Sequence, residues 1–408
     1  MADTPDQKPP RPTSVAPASG AAPAASVAGA VRASGEADTR VMVVDDSSIV
    51  RGIVTRTLES APRIKVVASA PNGAQAVKML AHTECDVIVL DIEMPEMDGI
   101  SALPLLLAIN PNVKIIMSST LTRRGAEISL KAMSLGAADF VAKPAANIGA
   151  ADAFRAELLG KVQAYGTRAR LARLARGGKT AAAVAASTSL ADARPARIGG
   201  VAPSGPLALR KAPVERPAII AIGSSTGGPQ ALSEVLKNLG AGVTQPIVIT
   251  QHMPATFTAI LAEHMNRYTG RPAAEAKEGE ALQNGHIYVA PGGIHMLFEA
   301  IGTQTIVRLN DGPPENSCKP AVDPMLRCLS EIYKKKLLTV ILTGMGYDGL
   351  KGAQVATAAG ATLIAQDQAS SVVWGMPGAV AQAGICNAVL PLAQIGQAIG
   401  RVARGEPL

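Results

Sequence analysis

The sequence predicts two α/β domains, each built on a doubly wound parallel sheet. Three observations support this prediction. Short apolar runs alternate with helical patterns in two blocks, residues 39–165 and 216–408. Polar residues capable of chemistry follow several of these runs directly, as they do at the carboxyl edge of such sheets. A basic segment rich in Ala and Pro, residues 166–215, separates the blocks and is typical of a linker.

The composition allows large apolar cores but few aromatic contacts. Hydrophobic residues make up 48% of the 408 positions, and aromatic residues make up 2%. We therefore expect aliphatic cores and no stacking platform for single-stranded nucleic acid. No run of 18 or more apolar residues occurs, so the sequence predicts no membrane-spanning helix. The four cysteines lack CxxC spacing, which indicates buried thiols in a reducing cytoplasm.

Two segments outside the predicted domains have a composition typical of unfolded chain. Residues 1–38 are rich in Ala, Pro, Ser and Gly without apolar periodicity, which predicts a disordered tail. The net charge is +7, and the excess lies between Arg155 and Lys211, where eleven basic residues accompany two acidic ones. We interpret that stretch as a solvated linker. Contact with an acidic partner or a membrane surface is the alternative interpretation.

Apolar runs and helical periodicity predict the elements of the first domain. Between the first two runs, Val50, Val54 and Leu58 repeat at intervals of four residues, as do Ile49, Ile53 and Thr57, which predicts an amphipathic helix. Repeated alternation of strand and helix predicts a parallel sheet. The predicted strands are Val41–Val44, Ile64–Ser69, Val87–Leu90, Val113–Met117 and Phe140–Ala142, and helical patterns cover Gly99–Asn110 and Gly125–Leu135.

The second block repeats this pattern. Four apolar runs predict buried parallel strands, namely Ala218–Ile222, Ile247–Thr250, Leu338–Leu342 and Thr362–Ala365. Three runs that lie closer together are expected to form hairpin strands, namely His286–Val289, His295–Phe298 and Thr305–Leu309. The second domain is therefore predicted to be a Rossmann-like parallel sheet with an antiparallel edge.

Acidic and other polar residues follow the predicted strands of the first block. Asp45 and Asp46 follow the first strand, Asp91 the third, Ser119 the fourth and Lys143 the fifth. Three carboxylates at one sheet edge repel each other, and Mg²⁺ would relieve that repulsion. Asp91 is then expected to attack a phosphoryl donor, with Lys143 and Ser119 binding phosphoryl oxygens. The alternative is a set of acids that merely cap helices.

The first block resembles the response-regulator receiver family, whose fold is flavodoxin-like. The motifs that carry the resemblance are Val-Asp-Asp-Ser, Leu-Asp-Ile-Glu-Met-Pro-Glu-Met-Asp-Gly, Met-Ser-Ser and Phe-Val-Ala-Lys-Pro. The resemblance implies that Asp91 accepts a phosphoryl group from a histidine kinase. It implies Mg²⁺ held by Asp45, Asp46, Asp91 and the main-chain carbonyl of Glu93.

The same resemblance implies a switch pair in the first domain. Ser119 corresponds to the switch hydroxyl, with Ser118 and Thr120 as the alternatives one residue away. Phe140 corresponds to the aromatic switch residue.

The second block opens with a strand that runs into the turn Gly-Ser-Ser-Thr-Gly-Gly-Pro at Gly223–Pro229. The turn lacks the Lys of a P-loop and the spacing GxGxxG, so a nucleotide site is poorly supported. A serine on a sharp corner between strand and helix exposes its hydroxyl, and glycines let a substrate approach the backbone. The turn therefore predicts a nucleophile, Ser225.

Two further strand ends supply partners for Ser225. Of five histidines, His252 alone follows an apolar strand of the parallel type. Asp348 lies in the Gly-rich loop after the run Leu338–Leu342. These residues are expected to form a Ser-His-Asp triad, with an oxyanion hole from the backbone N–H of Thr226 or Met345. The chain order argues against an ordinary α/β-hydrolase.

The second block resembles the catalytic domain of chemotaxis protein-glutamate methylesterases. The motifs are Gly-Ser-Ser-Thr-Gly-Gly-Pro, Gln-His-Met-Pro, Tyr-Val-Ala-Pro-Gly-Gly-Ile-His, Leu-Thr-Gly-Met-Gly-Tyr-Asp-Gly and Val-Trp-Gly-Met-Pro-Gly. A receiver followed by this domain is the family's own arrangement. The resemblance selects Ser225 over Ser224, which stands where a small apolar residue is usual. It also assigns His252 as the base and Asp348 as its orienting acid.

The resemblance implies a phosphorylation-activated enzyme of chemotaxis adaptation. Such an enzyme removes methyl groups from glutamate esters of chemoreceptors, releases methanol and deamidates receptor glutamines, with no cofactor at the hydrolase site. We expect an acyl-enzyme at Ser225, with a directly activated water as the alternative. We further expect a cytoplasmic monomer that binds no nucleic acid and meets the membrane only through receptors. The unphosphorylated receiver is expected to cover the Ser225 cleft.

Two other classes of protein fit part of the sequence. A receiver-driven transcription regulator would explain the basic segment, but no helix-turn-helix pattern follows the first block. A phosphorylation-dependent binding protein with an inactive hydrolase fold is the second alternative, against which the complete triad argues.

Overall fold

The structure is a computed structural model that describes residues 38–143, 148–176, 207–211, 215–240 and 242–408. Residues Asp38–Leu408 form one compact unit. The predicted tail, apart from Asp38, and most of the predicted linker lie outside the described residues. In the described part of the chain, no helix is both long enough and apolar enough to cross a membrane.

The first domain is a five-stranded parallel sheet covered by helices on both faces. Its strands have the order β2-β1-β3-β4-β5, which confirms the predicted doubly wound fold. The strands are β1 Thr39–Val44, β2 Ile64–Ala70, β3 Val87–Asp91, β4 Lys114–Ser119 and β5 Asp139–Ala142. The helices are α1 Ser48–Glu59, α2 Gly73–Leu80, α3 Gly99–Ile109, α4 Arg123–Ser134 and α5 Ile148–Arg176.

Helix α1 buries one of its two predicted apolar rows. Val54 and Leu58 lie in the core, whereas Ile49 is 73% exposed. Ser47 begins the helix, because its side chain accepts a hydrogen bond from the Val50 N–H. The row Val50–Val54–Leu58 therefore faces the sheet, whereas Ile49 and Ile53 of the other row are exposed.

Helix α5 continues past the predicted domain end at residue 165 and stops at Arg176. Gly166 lies against the Thr39 side chain, and Arg173 forms an ion pair with Asp86 at 2.6 Å. The first residues of the predicted linker, 166–176, thus belong to this helix. The basic charge of this stretch suggested a solvated linker, but Ala, Leu and Arg are strong helix formers, and the segment remains packed on the first domain.

The second domain is a seven-stranded parallel sheet with the order β14-β13-β12-β6-β7-β9-β8. Two further strands, β10 and β11, pair antiparallel as a separate sheet. The strands are β6 Ile219–Ser224, β7 Ile247–Gln251, β8 Ala273–Glu275, β9 Ile287–Val289, β10 His295–Ile301, β11 Gln304–Asn310, β12 Leu337–Ile341, β13 Thr362–Gln366 and β14 Ala388–Leu390. The helices are α6 Gly228–Lys237, α7 Ala255–Thr269, α8 Val322–Tyr333, α9 Leu350–Ala358, α10 Met376–Gln382 and α11 Leu392–Ala403.

The predicted α/β class of the second domain is confirmed, and its antiparallel part is a hairpin beside the main sheet. Strand β9, expected to belong to a hairpin, instead lies parallel to β7. Three apolar runs close together do not reveal which of them leaves the sheet.

Strand β6 lies at the centre of this sheet, between β7 and β12. Its residues are fully buried, as are those of β7 and β12. The chain leaves β6 toward β7 and later returns to its other side with β12. This reversal of strand order opens a crevice at the carboxyl ends, the usual site of chemistry in such sheets.

Candidate active site

The first domain gathers its predicted acids at the carboxyl ends of β1 and β3. Carboxylate oxygens of Asp45, Asp46 and Asp91 lie within 4.8 Å of one another. Lys143, which follows β5, places Nζ 2.9 Å from Asp45 and 2.8 Å from Asp91. Three carboxylates and one ammonium form a cluster with net negative charge, as a site for a hard divalent cation requires.

Burial and charge both act on this cluster. Burial raises the pKa of Asp91 to about 6, against the opposing effect of Lys143. Burial lowers the pKa of Lys143, but the contacts of its ammonium with Asp91 and Asp45 outweigh burial and raise this pKa. Lys143 is therefore charged at neutral pH and is positioned to bind an anion beside Asp91.

A cavity of about 250 Å³ opens over Asp91. Asp46, Glu93, Ser119 and Lys143 line it, so the structure brings the predicted phosphoryl-binding residues together. Thr120 also lines the cavity, whereas Ser118 does not. The prediction of Ser119 over Ser118 is consistent with this geometry.

The turn after β6 separates the two candidate serines. Ser224 is fully buried, and its Oγ donates a 2.6 Å hydrogen bond to Gln251 Oε1. Ser225 is half-buried, and its N–H donates to the Thr343 carbonyl at 3.0 Å. Gly227 has φ of 74°, a left-handed conformation that favours glycine. The turn thus directs Ser224 inward and leaves the Ser225 hydroxyl at the sheet edge.

His252 and Asp348 form the expected pair. His252 Nε2 lies 2.8 Å from Asp348 Oδ2. Ser224 pairs with Gln251 across β6 and β7, so the next residues, Ser225 and His252, leave neighbouring strands at the same edge. Among the described residues Ser225 Oγ has no hydrogen-bond partner, so the contact between serine and histidine is open in this conformation.

The carboxylate of Asp348 is held by more donors than the sequence revealed. The backbone N–H groups of Val322 and Asp323, the first residues of α8, donate to it at 2.6 and 3.1 Å. Asn316 Nδ2 donates at 2.9 Å. Burial disfavours the charged form of Asp348, but the His252 hydrogen bond and charge outweigh burial and lower the pKa of the carboxyl. Asp348 therefore stays ionised beside His252.

Asn316 and Cys318 were missed by sequence reasoning. Cys318 Sγ lies 3.4 Å from His252 Nδ1, on the ring edge opposite Asp348. Burial lowers the pKa of His252, but Asp348 and Cys318 outweigh it and raise this pKa to about 9. Neither residue directly follows a strand, so the expectation that site residues lie at strand ends does not select them. The Asn316-Ser317 pair, which is typical of a turn, is the signal that the sequence offers.

The predicted oxyanion donors remain available. Within the described residues, neither the Thr226 N–H nor the Met345 N–H donates a hydrogen bond. Both follow strand-end segments beside Ser225. The prediction that these groups stabilise an oxyanion requires such unpaired N–H donors.

The first domain packs directly on the turn that carries Ser225, residues Gly223–Pro229. Asp139 of β5 accepts a 3.2 Å hydrogen bond from the Gly227 N–H. Lys161 and Tyr165 of α5 also hold this buried carboxylate, each at 3.1 Å. Gln230 of α6 donates to the Ala137 carbonyl at 2.5 Å.

Aromatic and helix contacts extend this interface. The predicted switch residue Phe140 stacks on Phe257 of α7, with ring centroids 4.3 Å apart and planes 1° from parallel. A Cβ added at Gly160 of α5 would lie 2.8 Å from Met345 Cε, so glycine permits this close approach. The surface formed by β5 and α5 thus contacts both the Ser225 turn and the Met345 loop.

Comparison with known proteins agrees with both domains. A family profile described as the response regulator receiver domain matches residues 41–151, and one described as CheB methylesterase matches residues 220–399. A relative from Paramagnetospirillum magneticum is 56% identical over 371 residues, which cover 89% of this chain and 96% of the relative. That relative is named protein-glutamate methylesterase/protein-glutamine glutaminase 1. The chain belongs to this methylesterase/glutaminase family.

A second curated relative gives the same result. A family member from Azospirillum brasilense is 53% identical over 380 residues, which cover 91% of this chain and 94% of that protein. The crystal structure of the Thermotoga maritima CheB methylesterase catalytic domain matches with 39% identity and a TM-score of 0.45, covering 46% of this chain and all of that one. The receiver and the methylesterase domain expected from the sequence are both confirmed by family membership.

Proposed function

We propose that Ser225, His252 and Asp348 hydrolyse methyl esters of glutamate side chains on chemoreceptors and deamidate receptor glutamines. The observation that carries this proposal is the Asp348–His252 contact of 2.8 Å at the strand edge that also presents Ser225. Membership of the methylesterase family supports the substrate class. The Ser225–His252 hydrogen bond is expected to form when the interface with the first domain opens.

The proposed reaction uses side chains and backbone only. His252 takes the proton of Ser225 as Oγ attacks the ester carbonyl, and the N–H groups of Thr226 and Met345 stabilise the oxyanion. Collapse breaks the bond to the methoxy group, which leaves as methanol with the proton from His252. Water then hydrolyses the acyl group on Ser225. With glutamine the same steps release ammonia.

Regulation is the second part of the proposal. The Asp91 carboxylate attacks a phosphoryl donor, and Lys143 and Ser119 bind the transferred oxygens. Asp45, Asp46 and Asp91, with the Glu93 carbonyl, would hold Mg²⁺, which supplies charge neutralisation of the phosphoryl group when bound. Phosphorylation then shifts Phe140, which contacts Phe257, and moves the β5–α5 surface away from the Ser225 turn.

The proposed partners follow from the two activities. A histidine kinase supplies the phosphoryl group, and methyl-accepting receptors supply the ester. Both reactions take place in the cytoplasm, with the enzyme reaching the membrane through its receptors.

The deciding experiment measures methanol release from methylated receptor membranes, with and without a small-molecule phosphodonor and Mg²⁺. We expect slow release that rises with the donor. Methanol release at the same rate with and without the donor would support the esterase and contradict its control by phosphorylation. Absence of release by the folded protein, with receptors from the same cell, would favour a binding protein.

A further inference from the structure

We propose that Cys318 and His252 form a binding site for a thiophilic divalent cation, with Zn²⁺ as the probe, and that the bound cation blocks the hydrolase. The blocking effect rests on the proposed function of His252, whereas cation binding does not.

The donor atoms have the separation that such a cation requires. Cys318 Sγ lies 3.4 Å from His252 Nδ1. In a tetrahedral zinc site with Zn–S near 2.3 Å and Zn–N near 2.0–2.1 Å, the sulfur and nitrogen atoms lie about 3.5 Å apart. Little movement is therefore needed for one cation to bind both atoms.

Asp348 contacts the imidazole from the other edge of the ring and is not a third ligand. The ligand atoms of His252, Cys318 and Asp348 lie within 4.8 Å of one another. Asp348 Oδ2 is nevertheless bonded to His252 Nε2 and to the Val322 N–H, at 2.8 and 2.6 Å. We therefore assign Asp348 as the carboxylate that orients the imidazole, as commonly found behind metal-bound histidines, and not as a ligand.

A tight hairpin turn, Glu315–Cys318, positions the Cys318 thiol. Glu315 and Cys318 exchange backbone hydrogen bonds of 3.1 and 2.9 Å. Between them Asn316 and Ser317 have φ of 53° and 63°, as the two central residues of a tight hairpin turn require. Asn316 also donates to Asp348 at 2.9 Å, so one turn places the thiol and the orienting carboxylate on opposite edges of His252.

The other cysteines are unsuited to this chemistry. Cys85 and Cys386 are buried, and burial raises the pKa of each thiol to about 12. Cys328 donates its S–H to the Phe298 carbonyl at 2.7 Å. In the described part of the chain, Cys318 is the one thiol in contact with an imidazole. It is half-exposed, so an ion can reach it.

Cation binding would remove the base. Zn²⁺ displaces the protons of the Cys318 thiol and of His252 Nδ1. The cation then occupies Nδ1, the one ring nitrogen that Asp348 does not bind. His252 can no longer accept the proton of Ser225.

The first test measures methanol release by the full chain during Zn²⁺ titration, with each variant compared with its own zinc-free rate. We expect Zn²⁺ to inhibit the wild type reversibly, with recovery on chelation. Cys318→Ser should raise the half-inhibiting Zn²⁺ concentration by about 10-fold or more. The matched control Cys328→Ser should behave like the wild type. Equal inhibition of the wild type and Cys318→Ser would overturn the assignment.

The second test is independent of catalysis. Co²⁺ added to the full chain should give a thiolate charge-transfer absorption band, retained in Ser225→Ala and lost in Cys318→Ser. Absence of the band from the wild type would overturn the cation site while leaving the esterase untouched. A band without any methanol release would preserve the site and contradict the proposed function. If Cys318→Ser misfolds by circular dichroism, reversible blocking of the wild-type thiol by a methanethiosulfonate should remove the band instead.

Discussion

At the residue scale, adjacent serines have opposite surroundings. The Ser224 hydroxyl is bonded to Gln251 inside the protein, and the Ser225 hydroxyl is not. Ser225→Ala should lower methanol release by roughly 10⁴-fold or more. Ser224→Ala is the matched control and should lower release by at most about 10-fold, because it removes one neutral hydrogen bond. Comparable losses in both variants would show that the hydroxyls share the nucleophilic role.

The pH dependence of the esterase should report on His252. Its pKa of about 9 means that the imidazole is mostly protonated at neutral pH, and only the neutral form accepts the Ser225 proton. The rate should therefore rise about 10-fold per pH unit between pH 7 and 8 and level off near 9. Ser225→Ala supplies the background of spontaneous ester hydrolysis.

Cys318→Ser tests one of the two contacts that raise this pKa, the other being the larger effect of Asp348. The contact with Cys318 raises the pKa of His252, so its loss should move the inflection of the rate profile to lower pH. A wild-type profile that is flat above pH 7 would contradict the raised pKa.

The strand-end residues of both sites could be predicted because parallel strands deliver them to one edge. Asp91 and His252 follow directly from that rule. Asn316 and Cys318 could not be predicted, because a turn distant in sequence brings them to His252 and Asp348. Asp139 lies inside β5, where its role depends on a contact with the other domain.

At the element scale, strand β5 connects the two domains through Asp139. Asp139→Asn keeps the shape of the side chain but removes the charge that accepts the Gly227 N–H and binds Lys161. Unstimulated methanol release should rise on the order of 10-fold, and the response to a phosphodonor should shrink correspondingly. Thermal unfolding would check that the variant is folded.

The control for this prediction is Asp152→Asn in helix α5. Asp152 is exposed and pairs with Arg155 on the same helix. It should leave the unstimulated rate unchanged. If folded Asp139→Asn also leaves that rate unchanged, Asp139 does not restrain the nucleophile turn.

The elements themselves could be predicted where burial and periodicity agree. Strands β1, β3, β6 and β12 were found within two residues of their observed ends. The short strands β8 and β14 carry three residues each, too few for a periodic signal. The C-terminal part of α5 is harder to predict, because its basic residues also suit a solvated linker although Ala, Leu and Arg favour a helix.

At the scale of the whole molecule, the interface should open on phosphorylation. The Gly227 N–H is bonded to a buried carboxylate of the first domain, so its hydrogen exchange should be slow without a phosphodonor. With the donor and Mg²⁺, exchange at Gly227 should accelerate. Helix α11 provides the internal control and should exchange at the same rate in both states. Unchanged exchange at Gly227 in protein shown to be phosphorylated would contradict the opening.

Several contacts between the two domains join a side chain to a main-chain group. Asp139 binds the Gly227 N–H, Gln230 binds the Ala137 carbonyl, and Arg168 binds the carbonyls of Ala369 and Ser371. The residue identity needed for each contact is thus encoded on one side only. Homologous domains can diverge on the main-chain side without a compensating substitution. Receivers and hydrolase domains exchanged between relatives should therefore still bind each other. For the same reason, correlated substitutions between the two domains would reveal fewer contacts than this interface contains.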